Sequence, residues 1–394
     1  MITWPDLPPE ILNQIAGKFQ FYEDLINFLS VCRSWKSSAT TTKTSTQHLP
    51  SRFPTLMLAE SNKQDQDQNS RRSFLLSNGT IRNLQLPEAR RKRCISSHGW
   101  LLTTGGSEFY ANLLHPLSRT QIDLPKLYMF DELYFDQDEW MYYGHCMRKV
   151  VFTSSNPNSN PSFRVIIIWG KTLGFCRPGF DVSWTRINGY EGNLFDIVYH
   201  NMRKRLYAVT AMGSIYECDI LSESGSGSLT LNRVSTFPRK EFDFSRFEFP
   251  WAYLVEWDYN SLLMVTRERD YYKKHDYEYG RYGPYRTKKF ECFVFGLDDG
   301  KWSKVTSLGD KTVFLGFNSS FAIINNGGGG MKRDCIYFTD DVYEPYRDLP
   351  DGGGGDVGVY RMSDGGIEAI LDSEESLGFR GSPPLWLQTS IKEI

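Results

Sequence analysis

The chain has 394 residues, enough for a small module and one large domain, and its 40% hydrophobic content allows a sizeable core. A formal net charge of −2 excludes a global field that would draw the chain to nucleic acid or to an anionic membrane. The longest strongly apolar run, Val165–Trp169, is far shorter than the roughly 20 residues of a membrane-spanning helix.

The N-terminus and the cysteines indicate the compartment. The sequence MITWPD at residues 1–6 has no basic region followed by an apolar stretch, so neither a secretory signal nor a transit peptide is predicted. The seven cysteines stand alone, without a C-x-x-C pair, which argues against a disulfide framework and against a cysteine zinc site. We therefore expect a soluble protein of the cytoplasm, the nucleus or both.

Residues 4–39 carry a helical pattern that differs from everything after them. Pro8 and Pro9 followed by Glu10 predict a helix start, because proline fits the first turn and an acid there complements the helix dipole. Apolar residues then recur at the spacing of one helical face: Ile11, Leu12, Ile15 and Phe19. Two more short helices are indicated around residues 23–29 and 31–35. Three such helices bury little surface alone, so the module should complete its core against a partner or the adjoining domain.

The same residues resemble the F-box motif, which often reads L-P-x-E-I-L, then D-L, then V-C-K/R-x-W. The order and spacing are kept in residues 4–12, 24–25 and 31–35, whereas Phe19-Gln20 stands where a Leu-Pro usually ends the first helix. The resemblance implies binding to the Skp adaptor, and through it to a cullin, in an SCF-type ubiquitin ligase, with helix-in-groove recognition by apolar anchors. By position, the expected adaptor-binding residues are Leu7, Pro8, Ile11, Leu12, Ile15, Leu25, Val31, Cys32 and Trp35. An unrelated helical cap that packs on the following domain is the alternative.

Residues 40–72 are predicted to be a linker that holds one candidate strand at residues 53–58. The stretch 37–46 is rich in Ser and Thr, and residues 60–72 are polar without apolar periodicity.

From residue 73 to residue 375 the sequence favours short strands joined by tight turns. The chain has 15% aromatic residues together with 33 Gly and 18 Pro, a mixture typical of β structure. Apolar runs closed by Thr recur at residues 100–104, 206–210, 262–266 and 336–339, and their spacing indicates a further unit near Val165–Trp169. Degenerate repeats of this kind predict a mainly β fold, a six-bladed β-propeller after the three-helix module, with residues 376–394 as a C-terminal tail. A pair of large β-sandwiches is the alternative.

Four short motifs in this region resemble the KIB-type, kelch-related domain of many plant F-box proteins. They are SSHGWLLT at residues 96–103, NLLHP at 112–116, IDLP at 122–125 and GVYR at 358–361. The resemblance implies a propeller that recruits a protein, and it names no target.

The sequence carries few signs of catalytic chemistry. The six histidines include no H-E-x-x-H pair, no G-x-S-x-G elbow occurs, and the glycine runs at residues 327–330 and 352–355 lack a following Lys-Ser/Thr. We therefore predict no catalytic residue, no metal site and no cofactor. A propeller enzyme is the less favoured alternative.

Residues 267–289 combine eight Lys or Arg with four Asp or Glu and six tyrosines. Tyr and Arg are frequent in protein interfaces, so this segment is the predicted target-binding site. The predicted contact residues are Tyr271, Tyr272, Tyr277, Tyr279, Arg281, Tyr282, Tyr285 and Arg286. Basic and aromatic residues together can also bind RNA, and a plain outward hairpin is a third interpretation.

Overall fold

The computed structural model describes residues 7–16, 28, 31–35, 37, 53–60, 69–105, 110–127, 147–157, 162–222, 229–242, 251–271, 285–325, 330–342, 355–371 and 383–388.

The N-terminal module begins with helix α1 (Pro9–Ala16), as the prolines and Glu10 predict. The amide groups of Ile11 and Leu12 both donate to the carbonyl of Pro8, at 3.0 and 3.1 Å, and so close the first turn. Phe28 and residues 33–35 are also helical, at positions where the two further helices are predicted. The bounds of those two helices lie outside the described residues.

The strands of the described residues form six sheets, here called blades 1 to 6 in chain order. Blade 1 contains β1 (Thr55–Met57), β2 (Ser70–Leu75) and β3 (Thr80–Gln85). Blade 2 contains β4 (Arg93–Ser97), β5 (Trp100–Gly105), β6 (Tyr110–Leu114) and β7 (Gln121–Asp123). Blade 3 contains β8 (Met147–Phe152), β9 (Val165–Trp169), β10 (Thr172–Cys176) and β11 (Thr185–Ile187).

The next two blades repeat this plan of four antiparallel strands. Blade 4 contains β12 (Leu194–His200), β13 (Arg205–Thr210), β14 (Ser214–Cys218) and β15 (Asn232–Thr236). Blade 5 contains β16 (Trp251–Asp258), β17 (Ser261–Tyr271), β18 (Tyr285–Gly296) and β19 (Trp302–Val305).

Blade 6 has five strands and one parallel pair. It contains β20 (Lys311–Leu315), β21 (Phe321–Ile324), β22 (Cys335–Phe338), β23 (Gly358–Arg361) and β24 (Ile367–Ala369). The order is β21-β20-β22-β23-β24, and β20 runs parallel to β22.

The last strand, β25 (Leu385–Leu387), closes the ring by joining blade 1. There β1 lies between β25 and β2, with Leu56 opposite both Trp386 and Phe74. The segments predicted to be a linker and a C-terminal tail therefore both contribute strands to the propeller, and its sheets extend beyond residues 73–375. Three-residue strands are too short to show a period in the sequence, and only their ladder partners reveal them.

The core consists of six apolar layers, each shared by two neighbouring blades. Leu102 and Ile167 meet between blades 2 and 3, and Leu56 and Phe314 meet between blades 1 and 6, where the ring closes. A blade that is covered on both faces buries both sides of its strands, which explains the continuous apolar runs in the sequence. The closed ring confirms the six-bladed propeller and excludes the pair of sandwiches.

The repeated apolar run closed by Thr is the second strand of a regular blade. The runs correspond to β5, β13 and β17, and in blade 6 to β22. The further unit expected near Val165–Trp169 is β9. Thr210 and Thr339 at the ends of two of these runs are fully buried. The Thr210 hydroxyl oxygen accepts the amide of Ser214 at 3.3 Å, which satisfies a backbone donor where the strand turns.

The six cysteines among the described residues are free thiols, and Cys146 lies outside them. Within the described parts of the chain, no helix combines the length and the apolar character needed to cross a bilayer.

Candidate adaptor and target surfaces

Helix α1 presents two different apolar sides. Ile11 and Ile15 are four residues apart, so they line one side of the helix, and Leu7 lies two residues before its first residue. Ile11 is 42% exposed, while Leu12 is 0% exposed and lies with buried Ala16 on the inner side. Leu12 therefore supports the fold of the module, which corrects its assignment to the adaptor-binding set.

The other predicted adaptor residues differ in exposure. Val31 is 56% exposed, Cys32 and Trp35 are half-buried, and Pro8 is exposed. The ring of Trp35 packs on buried Phe28 with 4.5 Å between the centroids, so Trp35 stabilises the module. Leu25 lies outside the described residues.

The predicted target segment begins and ends as a β-ladder. Strands β17 and β18 pair from Ser261 opposite Gly296 to Tyr271 opposite Tyr285, with one shift of register between Glu268 and Arg269. Both ends of residues 267–289 thus belong to one β-hairpin. The side chain of Tyr271 and the whole of Tyr272, Tyr277, Tyr279, Arg281 and Tyr282 lie outside the described residues.

Arg267 is the centre of a buried polar network at the base of this hairpin. Its Nη2 lies 2.8 Å from a carboxylate oxygen of Asp356, and its Nε donates to the Thr287 hydroxyl oxygen at 2.8 Å. Its Nη1 donates to the carbonyl of Thr339 at 2.9 Å and lies 3.2 Å from Asp341. Every nitrogen of this guanidinium therefore has a partner, as burial of a charge requires.

Tyr285 belongs to the same network. It is 1% exposed, and its hydroxyl donates to Asp341 at 3.1 Å. Arg269 binds both carboxylate oxygens of Asp341 at 2.6 Å. Burial alone would raise the pKa of Asp341, but the guanidiniums of Arg267 and Arg269 lower it below the usual aspartate value. Tyr285 is thus a structural residue, and its assignment to the target surface is wrong.

Much of the positive charge of residues 267–289 is paired. Lys288 lies 3.0 Å from Glu268, and Lys289 lies 2.9 Å from Glu291. Arg286 is exposed and donates to the carbonyl of Gly355 at 2.5 Å. Among the predicted target residues whose side chains are described, Arg286 is the one at the surface.

A second group of residues near the hairpin carries no sequence motif. The group consists of Arg148 in β8, Phe195 in β12 and Trp251 in β16, each at the first or second position of the first strand of its blade. Strand β12 contacts both β8 and β16. Phe195 and Trp251 stack with centroids 4.7 Å apart and an angle of 24°. Because the three residues are far apart in the chain, only the ring of blades brings them together.

Blades 3, 4 and 6 meet in a buried ion pair. Lys149 lies 3.2 Å from Asp196 and donates to the Ser320 hydroxyl at 3.1 Å. Ser320 in turn donates to Asp196 at 2.9 Å, and the backbone amide of Leu254 donates to the same carboxylate at 3.0 Å. Burial raises the pKa of Asp196, and Lys149 opposes that effect. This arrangement joins blades 3, 4, 5 and 6.

The described residues contain no cluster of three or more His, Cys, Asp or Glu side chains suited to a metal ion. A groove of about 790 Å³ on blade 2 is lined by residues that include Lys92, Tyr110, Asn112 and Lys126, and Asp123 is the one carboxylate among its described lining residues. Those residues therefore do not supply the pair of carboxylates that general acid–base chemistry often uses. Burial lowers the pKa of His98 and of His115, which favours the neutral imidazole in both.

Comparison with known protein families matches both parts of the chain. The model of the KIB1-4 beta-propeller matches residues 73–361, more than half of the chain. This protein belongs to the KIB1-4 beta-propeller family. The F-box domain model matches residues 4–44. Together they confirm a plant F-box protein with a propeller domain, as the motifs indicated.

Individual relatives span nearly the same length as this KIB1-4 propeller protein. Putative F-box protein At5g55150 of Arabidopsis thaliana is 25% identical over 347 residues, which cover 86% of this chain and 85% of that protein. F-box protein SKIP23 of the same plant is 25% identical over 421 residues, which cover 100% of this chain and 97% of that protein. The structure of apo AztD from Citrobacter koseri aligns at a TM-score of 0.35 and 12% identity, over 71% of this chain and 63% of AztD.

Proposed function

We propose that this protein is the substrate-recognition subunit of an SCF-type (Skp–cullin–F-box) E3 ubiquitin ligase. The F-box binds a Skp-type adaptor and through it a cullin, while the propeller holds the target protein. Other subunits transfer the ubiquitin, so the chain itself carries out no catalytic step. The observation that most supports this proposal is the F-box match at residues 4–44 ahead of a closed propeller.

The geometry of α1 is suited to the adaptor contact. Ile11 and Ile15 lie on one side of the helix, Leu7 lies just before it, and none of the three is buried. Each apolar side chain that enters a partner groove contributes up to about 1.5–3 kcal/mol when it becomes buried. This row is therefore the part of the module that has most to gain from a groove in the adaptor.

The proposal includes a cytoplasmic or nuclear location, or both. The free thiols of the described cysteines are compatible with a reducing compartment. An RNA-binding role for residues 267–289 has less support, because Arg267, Arg269, Lys288 and Lys289 are paired with carboxylates.

Co-purification tests the adaptor contact. The full chain is co-expressed with a Skp adaptor, and adaptor recovery is compared between wild type and Ile11→Asp. The variant should lose the adaptor, because a carboxylate in an apolar groove loses its water without gaining a partner. Gln14→Asp is the matched control, since it adds the same charge at another exposed position of α1 and should retain the adaptor. Undiminished recovery with Ile11→Asp would overturn the proposal.

A further inference from the structure

Two arginines and two aromatic rings meet where the opening strands of blades 3, 4 and 5 begin. Arg148, Phe195, Trp251 and Arg269 are here called the arginine–tryptophan cluster. The guanidinium carbons of Arg148 and Arg269 lie 5.9 and 5.5 Å from the centroid of the Trp251 ring. Arg148, Phe195 and Trp251 are partly exposed, whereas the side chain of Arg269 is 8% exposed and lies behind the Trp251 ring. We propose that this cluster binds an acidic peptide segment with an aromatic side chain, as part of the target; this inference rests on the proposed function of the propeller.

The aromatic half of the cluster is held in place before any ligand arrives. Phe195 packs on the apolar layer between blades 4 and 5, and Trp251 packs on the layer between blades 5 and 6. Their rings also stack on each other at 4.7 Å. A ring that is already fixed loses little conformational freedom on binding, so its exposed edge is an efficient contact for an apolar side chain.

The cationic half of the cluster determines the charge of the ligand. Arg269 is neutralised by Asp341 at 2.6 Å, whereas no ion pair joins Arg148 to any carboxylate of the described residues. The guanidinium of Arg148 therefore has donors that no carboxylate of these residues uses. It can bind a carboxylate of a ligand through two parallel hydrogen bonds. Charge complementarity therefore favours Asp or Glu in the bound segment.

The cluster also lies at the base of the hairpin that the sequence indicates as target-binding. Trp251 is the ladder partner of Arg267, and Arg269 stands two residues further along the same strand. The buried pairs of Arg267 with Asp356 and of Arg269 with Asp341 fix this strand against blade 6. The cluster is therefore a rigid platform, which favours recognition of a defined peptide.

Single-stranded RNA also stacks on aromatic rings and arginines, but it needs several free cations to follow its phosphates. In the described part of residues 267–289, four cations are already paired with carboxylates. A peptide is thus the occupant that the observations favour, and RNA is an outcome that the test can reveal.

The test measures peptide binding directly. The full chain, co-expressed with the Skp adaptor, is titrated against a fluorescein-labelled peptide that repeats Glu-Phe-Gly-Asp, and fluorescence anisotropy reports binding. Trp251→Ala and Arg148→Glu should each weaken binding by about tenfold or more, the usual effect of changing a central Trp or Arg. Arg233→Glu, the same charge change at an exposed position of β15, should alter it by less than about twofold.

The inference would be overturned if a Lys-Phe-Gly-Lys peptide bound as tightly as the acidic peptide, or if Arg148→Glu bound the acidic peptide as tightly as wild type does. Tighter binding of a labelled uridine oligonucleotide than of the acidic peptide would overturn it as well. Arg148 is partly exposed, so its variant keeps the test valid if Trp251→Ala fails to fold, which thermal unfolding detects. Adaptor recovery is measured in the same preparations. A wild-type chain that holds the adaptor but ignores the acidic peptide refutes only this inference, whereas a chain that does not hold the adaptor refutes the proposed function.

Discussion

Arg267 on β17 of blade 5 lies 2.8 Å from Asp356, which precedes β23 of blade 6. Their side chains are 0% and 6% exposed. The hairpin that extends from blade 5 is therefore fixed to blade 6 by an ion pair that water does not screen.

Replacing Arg267 with methionine should lower the free energy of unfolding by about 3–5 kcal/mol, because Asp356 is left buried without its cation. Urea unfolding of the full chain measures the change. Arg233→Met, at a residue with a 57% exposed side chain, is the control and should change stability by less than about 0.5 kcal/mol. Similar stabilities of the two variants would show that the pair contributes little.

The stability that Asp341 contributes should depend on pH. Its pKa in the folded protein is lowered by Arg267 and Arg269, against the opposing effect of burial. The contribution is therefore fully present above the ordinary aspartate value of about 3.9, and it is lost as the pH falls from there toward the folded-state value.

Asp341→Asn should accordingly be less stable than wild type at pH 7, and the gap should shrink below about pH 4. Urea midpoints across this range measure it. Asp219→Asn removes an exposed carboxylate 3.3 Å from Arg205. Its stability should differ little from that of wild type at every pH, because water screens that pair. A stability difference between Asp341→Asn and wild type that stays constant with pH would contradict the role of the Asp341 carboxylate.

Lys149 and Asp196 should show strong coupling in a double-mutant cycle. Lys149→Met leaves Asp196 buried without its cation and should lower the free energy of unfolding by about 3–5 kcal/mol. The double variant Lys149→Met, Asp196→Leu should lower it by less than the sum of the two single variants, because neither charge remains. Additive losses of free energy in thermal or urea unfolding would mean that the two side chains act independently.

The first strand should be essential for the propeller. A chain that starts at residue 53 keeps β1 between β25 and β2, whereas a chain that starts at residue 71 exposes the edges of both neighbours. We expect the first to unfold cooperatively as a monomer and the second to aggregate or melt at a lower temperature. Size-exclusion chromatography with thermal unfolding compares them, and equal melting temperatures would show that β1 is dispensable.

Arg71 illustrates where the sequence was misleading. It belongs to the polar stretch at residues 60–72 that predicts a linker, yet it lies in β2, is 1% exposed and pairs with Glu60 at 3.2 Å. Its Nη2 also donates to the carbonyl of Leu58 at 3.0 Å. A polar stretch is normally exposed because a lone charge is costly to bury. Arg71 and Glu60 are buried as a pair of opposite charges, and the sequence does not show that pairing.

Other features were readable from local chemistry. Pro9 and Glu10 predict the start of α1, and the runs closed by Thr correspond to the second strands of blades 2, 4 and 5, because both signals depend on near neighbours in the chain. The F-box and KIB-type motifs are likewise continuous segments, so the family could be recognised without coordinates.

The module order, the β class and the repeating unit can be predicted from the chain alone, since each depends on the period and composition of short segments. Which apolar and polar residues are available to partners follows instead from the three-dimensional packing. Leu12 and Ile11 are adjacent and both apolar, yet one is buried and the other exposed; Tyr285 is hidden, while Arg148, Phe195 and Trp251 converge from three blades. Exposure and convergence depend on how distant strands pack around the ring, and no local pattern encodes that.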